Sequence, residues 1–140
     1  MLGNPAFYYT VELSPDGTRA AGGIRSTPLG DVWIFDTSRG GRARFTFEPA
    51  VFPRAIWSPD GSRVLFMKKG KTGFADLFQK ASSGAGAEQP LLEDGFNKYP
   101  TSSSPDGRFV MYVAAPGSPT TGNDLWVLPL FNDRKPFPYL

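Results

Sequence analysis

The tetrapeptide Ser-Pro-Asp-Gly occurs three times in this chain, as Ser14-Pro15-Asp16-Gly17, Ser58-Pro59-Asp60-Gly61 and Ser104-Pro105-Asp106-Gly107. The copies lie 44 and 46 residues apart. A second signal keeps step with the first: Asp31-Val32-Trp33, Asp76-Leu77-Phe78 and Asp124-Leu125-Trp126 begin 17 to 20 residues after the respective Ser. Two motifs in phase over three long periods mark a chain built from copies of one supersecondary unit. Such a unit cannot bury its apolar faces alone and must stack on its neighbours.

The middle copy shows what the unit is. Phe52 to Trp57 is a short apolar run, and Ser58-Pro59-Asp60-Gly61 then reverses the chain. Proline presets φ for the second turn position, aspartate bonds nearby amides, and glycine supplies a positive φ. Arg63 to Lys68 follows, with Val64-Leu65-Phe66-Met67 apolar without a break, as suits a strand covered on both faces. A Gly/Lys loop leads to Ala75 to Lys80, and a small-residue turn leads to Gln89 to Leu92. The first copy gives strands over Phe7 to Leu13, Arg19 to Arg25, Asp31 to Thr37 and Arg42 to Phe47. The third gives Lys98 to Ser103, Arg108 to Ala114, Asp124 to Pro129 and Pro136 to Leu140. The small residues of Ala20-Ala21-Gly22-Gly23 predict looser packing in the first copy.

These readings predict an all-β fold of three four-stranded antiparallel meanders with no helix. Sheets with two apolar faces bury both by stacking around an axis, which makes the three units blades of a partial β-propeller. The blades span about 7–47, 51–92 and 96–140 of a single domain covering 1–140. Complete propellers usually have about four to eight blades. Three blades leave two outer faces bare, so the expected neighbours are the remaining blades or a second copy of the chain.

Composition removes whole classes of chemistry. The chain has neither cysteine nor histidine, hence no disulfide, no thiolate nucleophile and no imidazole base or metal ligand. Net charge is +2, with no clustered basic face of the kind nucleic acid requires, and no apolar run is long enough to cross a bilayer. Met1 to Pro5 lacks the charged and apolar regions of a signal peptide. Gly70-Lys71-Thr72 echoes the end of a phosphate-binding loop, but Leu65 stands where that loop needs glycine, and no helix follows. The acidic pair Glu93-Asp94 is too little for an oxygen-ligand metal site. Six of the carboxylates, Asp16, Asp60, Asp106, Asp31, Asp76 and Asp124, recur in every copy, which points to turn and strand-start roles, since a catalytic group has no reason to repeat. Trp33, Phe78 and Trp126 recur at one strand position and are expected in the core, like Trp57. No catalytic, metal or cofactor residue is expected.

Trp57-Ser58-Pro59-Asp60-Gly61-Ser62-Arg63-Val64-Leu65-Phe66, followed by Asp76-Leu77-Phe78, resembles the repeat of TolB-like (WD-repeat-like) propellers, over about residues 7 to 140. The resemblance implies six or seven blades in a complete molecule. Asn123 to Leu130 with Asp133 to Pro138 is similar to propeller regions attached to bacterial serine/threonine protein kinases, although no kinase motif is present here. The same repeat occurs in periplasmic TolB and in the gating propellers of prolyl-oligopeptidase-like enzymes. It implies a non-catalytic module of a larger bacterial protein, on the extracytoplasmic side, that binds protein or peptide. An accessory propeller serving a kinase or hydrolase domain, and a half-ring closing with its own copy, are the alternatives. Fold likeness alone does not choose among them.

In this strand order the Ser-Pro-Asp-Gly hairpins share one end of the blades. The inter-blade loops and the loops after each second strand share the other, where chemistry varies over a repeated scaffold. Arg54, Asn97, Lys98 and Tyr99 are the candidate partner-binding residues there.

Overall fold

The computed structural model of the chain describes residues 5–25, 28–118 and 122–139. Three four-stranded antiparallel sheets follow one another along the chain, each with its strands in sequence order. The first contains β1 (Phe7–Leu13), β2 (Arg19–Arg25), β3 (Gly30–Asp36) and β4 (Arg42–Arg44). The second contains β5 (Ala55–Trp57), β6 (Arg63–Lys69), β7 (Ala75–Ala81) and β8 (Gln89–Leu92). The third contains β9 (Asn97–Ser103), β10 (Phe109–Ser118), β11 (Gly122–Pro129) and β12 (Phe137–Pro138). First strands of neighbouring blades touch, β1 on β5 and β5 on β9, so the first strands lie innermost. No helix among the described residues is long and apolar enough to cross a membrane.

The three hairpins are near-copies in three dimensions. Gly17, Gly61 and Gly107 take φ of 70°, 71° and 70°, a region that costs other residues steric strain. Their N–H groups donate to the carbonyls of Ser14, Ser58 and Ser104 at 2.8, 2.9 and 2.9 Å. Each serine hydroxyl donates to the aspartate two residues on, at 2.6, 2.6 and 2.5 Å. It also accepts the N–H of Arg19, Arg63 or Phe109. Each aspartate also accepts a backbone N–H, from Thr18, Ser62 or Arg108, at 3.0 Å. Bonds to the ionised form hold the carboxyls down: the serine hydroxyl first, then the backbone amide, bring Asp16 and Asp60 to about 2 and lower Asp106.

The middle blade is apolar on both sides. Val64, Leu65, Phe66 and Met67 are all buried, as their unbroken run predicts. Val64 and Phe66 join Trp57 and Phe78 in a core shared with Ala21, Val32 and Phe45 of the first blade. Leu65, Leu77, Ile56 and Leu91 join Val110, Tyr112, Ala114 and Leu128 of the third. Each of these larger apolar side chains contributes about 1.5–3 kcal/mol by leaving water.

The outer blades have no such cover on their far faces. Cross-strand partners share a face, and the register puts Val11 and Leu13 with Trp33 and Phe35 on the side of the first blade turned away from the second. Val11 and Leu13 are 59% and 60% exposed, whereas Phe35 is buried against Gly22 and the Tyr8 ring. On the far side of the third blade the register lines up Phe109, Met111, Val113, Leu125, Val127 and Phe137.

Several expectations are corrected. The second strand of the first blade is tightly packed, with Ala20, Ala21, Gly22 and Gly23 all buried. The glycine allows this: a Cβ at Gly23 would sit 1.9 Å from the Pro53 carbonyl oxygen of the next blade. Phe78 and Trp57 are in the core and Trp126, partly buried, packs against the core shared with the second blade, whereas Trp33 joins neither core. Trp33 lies on the uncovered face, with the Arg42 guanidinium 5.1 Å from its ring centre. The fourth strands of the first and third blades are shorter than expected, whereas β8 has the expected bounds. After Arg44 the chain dips so that Phe45 and Thr46 both donate to the Val32 carbonyl, dropping Phe45 into the core. In the third blade Pro136 and Pro138 offer no N–H to extend a ladder, and Leu140 lies outside the described residues.

Two outcomes follow from this packing. Gly23→Ala should destabilise the chain by about 1–3 kcal/mol, read as a lowered melting temperature, because backbone and not a flexible side chain occupies the space. The hairpin carboxyls have folded-state values below their unfolded value of 3.8, so their contribution is complete above that value. It should fade as pH falls from about 4 towards 2, and acid melting of Asp60→Asn should show a shallower loss over that window than wild type.

Candidate functional site

The inner strands bring one aromatic side chain from each blade into a row at the loop end. Tyr9 of β1, Phe52 just ahead of β5 and Tyr99 of β9 stack edge to face, with ring centres 5.4 Å apart for Tyr9–Phe52 and 6.1 Å for Phe52–Tyr99. Tyr9 and Phe52 are 41% and 39% exposed, unusual for rings that touch one another. Arg25, at the end of β2, lies over Tyr9 with its guanidinium carbon 5.8 Å from the ring centre. The row therefore presents a ridged, partly solvated aromatic surface with a cation at one end, the chemistry that contacts side chains and backbone of a docked peptide.

Of the sequence candidates, Tyr99 belongs to this row and Arg54 is half-buried at the foot of β5, its carbonyl accepting the N–H of Met67 at 3.4 Å. Asn97 and Lys98 are committed elsewhere. The Asn97 side-chain oxygen accepts the N–H of Ala75, tying the third blade to the second at 2.9 Å. Lys98 is fully buried, which corrects its expected place on the solvated loop surface: its ammonium donates to Asp76 at 2.7 Å, to Asp94 at 2.6 Å and to the Phe96 carbonyl at 2.7 Å. Asp76, also fully buried, accepts the Thr72 hydroxyl and the Asp94 N–H as well. A Cβ at Gly70 would lie 1.9 Å from Asp76 Oδ2, so Gly70 and Thr72 serve this carboxylate. The repeated aspartate of the first blade is likewise paired, Asp31 with Arg44 at 2.7 Å.

Reasoning from the sequence missed Tyr9 and Phe52. The signal was present: an aromatic stands 5, 6 and 5 residues before Ser14, Ser58 and Ser104. The one-residue offset in the middle copy hides it, and only the strand register brings the rings together. Beside the Lys98 cluster, Asp94, Phe96, Tyr112 and Trp126 line a small cavity of about 80 Å3. Burial, with the Asp94 charge adding to it, holds the Tyr112 phenol well above its ordinary range. Among the described residues no group of His, Cys, Asp and Glu is arranged to hold a metal.

With this geometry in hand, comparison with solved structures is decisive for the architecture. A TolB-type protein of Agrobacterium tumefaciens superposes with a TM-score of 0.77 at 17% identity, over 99% of this chain and 50% of its own. TolB of Acinetobacter baumannii gives 0.75 at 17% identity, over 95% of this chain and 32% of its own. The fold is that of a TolB-like β-propeller. The peptidase YuxL of Bacillus subtilis (strain 168), itself uncharacterized, is 26% identical over 112 residues, covering 76% of this chain and 17% of its own length. No protein-family model matches the chain. The chain thus spans half or less of the length of each of these proteins. An attachment to kinases is not among the things these likenesses show.

The buried pair yields a test of its own. Lys98→Met alone should cost about 3–5 kcal/mol, because it strands Asp76 in the interior. The double variant Lys98→Met/Asp76→Leu should recover much of that loss in chemical denaturation.

Proposed function

We propose that this TolB-like propeller segment is a non-catalytic module that binds peptide or protein on the aromatic row at the loop end of its inner strands. The row of Tyr9, Phe52 and Tyr99 carries the reading, because partly exposed aromatics that hold one another edge to face, two of them on strands, make a preorganised contact surface. The absence of histidine and cysteine, and the recurrence of six carboxylates in structural positions, favour binding over chemistry. The TolB likeness favours an extracytoplasmic setting within a larger bacterial protein. Nothing in the reading calls for nucleic acid or a cofactor.

The likeness to YuxL favours one second reading, an accessory propeller that positions substrate for a hydrolase domain. A hydrolase domain encoded in the same polypeptide would support it, and a kinase domain would revive the kinase-linked alternative. Under either reading the aromatic row is the contact surface.

The test is a binding selection from a random peptide display library against the purified chain. Peptides so obtained should lose at least about tenfold in affinity for the Phe52→Ala/Tyr99→Ala variant, as expected when contact aromatics are truncated. Equal affinity for the two proteins, with unchanged melting temperature, would overturn the assignment of the row.

A further inference from the structure

The two blade-to-blade joints close differently at the hairpin end, and the difference leaves a site. At the first joint Arg19 works as a clasp. Its guanidinium donates to the Ser82 carbonyl and hydroxyl at 3.0 Å each and to the Gly61 carbonyl at 3.2 Å, all in the second blade. Its guanidinium carbon also lies over the Trp57 ring, 4.9 Å from the centre. The indole N–H reaches back to the Glu12 carbonyl at 3.0 Å, so ring and guanidinium together close the inner part of the joint, and a cleft of about 400 Å3 remains only farther out, between Arg19, Ile34 and Ser82.

The matching positions at the second joint follow from the repeat. Arg63 stands where Arg19 does, two residues after the turn glycine, and Ser103 stands where Trp57 does, just before the turn serine. Leu130 stands where Ser82 does, since Ser82 and Leu130 donate their N–H groups to the carbonyls of Ser62 and Arg108, the residues just after each turn glycine. The two side-chain receivers of the clasp are therefore gone, a serine replacing the indole and a leucine replacing the hydroxyl, and only the backbone carbonyls have counterparts. Arg63 instead turns within its own blade, donating to the Gln89 side-chain oxygen at 2.7 Å. Its Nε is buried with no hydrogen-bond partner. A cleft of about 470 Å3 opens between the blades, lined by Arg63, Leu65, Gln79, Ser103 and Leu130, with Asp60 and Asp106 at its rim.

We propose that this cleft is a binding site for a flat aromatic side chain, an indole above all, carried on a peptide whose backbone carbonyl accepts from Arg63. The ring would occupy the room that Trp57 fills at the other joint, between the guanidinium and the apolar wall of Leu65 and Leu130. The carbonyl would accept from the guanidinium as Arg63 turns off Gln89 into the cleft, a move that also releases the Nε–H from a buried place whose lack of a partner is costly. Asp60 and Asp106, both held in the ionised form by their turns, disfavour an anionic ligand and favour a neutral or basic one. This site lies at the opposite end of the blades from the aromatic row and does not rest on the reading of that row.

The probe is N-acetyl-tryptophanamide, followed by ligand-observed NMR on the whole chain, with the acid N-acetyl-tryptophan as the charged control. The amide should bind more tightly than the acid. Ser103→Trp should fill the cleft from within, raise the melting temperature and weaken probe binding at least about tenfold. Arg63→Gln should weaken binding while the melting temperature stays close to wild type, and it tests the site even if the tryptophan variant folds poorly. The Phe52→Ala/Tyr99→Ala variant should bind the probe as wild type does. No binding of the amide at millimolar concentration, or binding that both Ser103→Trp and Arg63→Gln leave unchanged, overturns the proposal.

Discussion

A four-stranded sheet that is greasy on both sides cannot stand in water by itself, and every other feature of this chain answers to that constraint. In the middle blade the constraint is met: one face of β6 enters the core shared with the first blade and the other enters the core shared with the third. The alternation of strand side chains makes the division automatic, Val64 and Phe66 to one side, Leu65 to the other. The same alternation in the outer blades sends Val11 and Leu13, and Phe109, Met111 and Val113, to faces where no blade sits. The hairpins do not create this hydrophobic drive. They fix the register that aims it, through three copies of one serine–aspartate–glycine cage.

Much of the architecture was legible in the sequence because repetition amplifies local chemistry. One Ser-Pro-Asp-Gly is a turn; three of them in phase with Asp-x-aromatic fix strand number, order and blade count. Where the reading failed, the cause was a contact between blades that no single copy encodes. Gly22-Gly23 looked like weak packing, yet Gly23 is where the Pro53 carbonyl fits and Gly22 lies under the Phe35 ring. Lys98 looked like a solvated loop cation, yet Asp76 and Asp94 draw it fully inside. Trp33 looked like core because large aromatics recur at that strand position, but it lies on the outer face of the first blade, where no blade sits.

The candidate sites show the same limit from the other side. Tyr99 was singled out as an aromatic near the axis, whereas its partners Tyr9 and Phe52 depend on a one-residue offset that only three-dimensional register resolves. The cleft at the second joint is a difference between repeats, Trp57 against Ser103 and Ser82 against Leu130. Departures from a repeat are where such a scaffold is free to specialise, since the scaffold itself needs only the shared positions.

The central claim, that both end faces of this three-bladed stack require a covering sheet, is tested most directly by sedimentation velocity of the purified 140-residue chain across micromolar concentrations. The account predicts a folded species whose sedimentation coefficient rises with concentration as end faces pair. A folded chain that sediments as a single monomer throughout that range would contradict it.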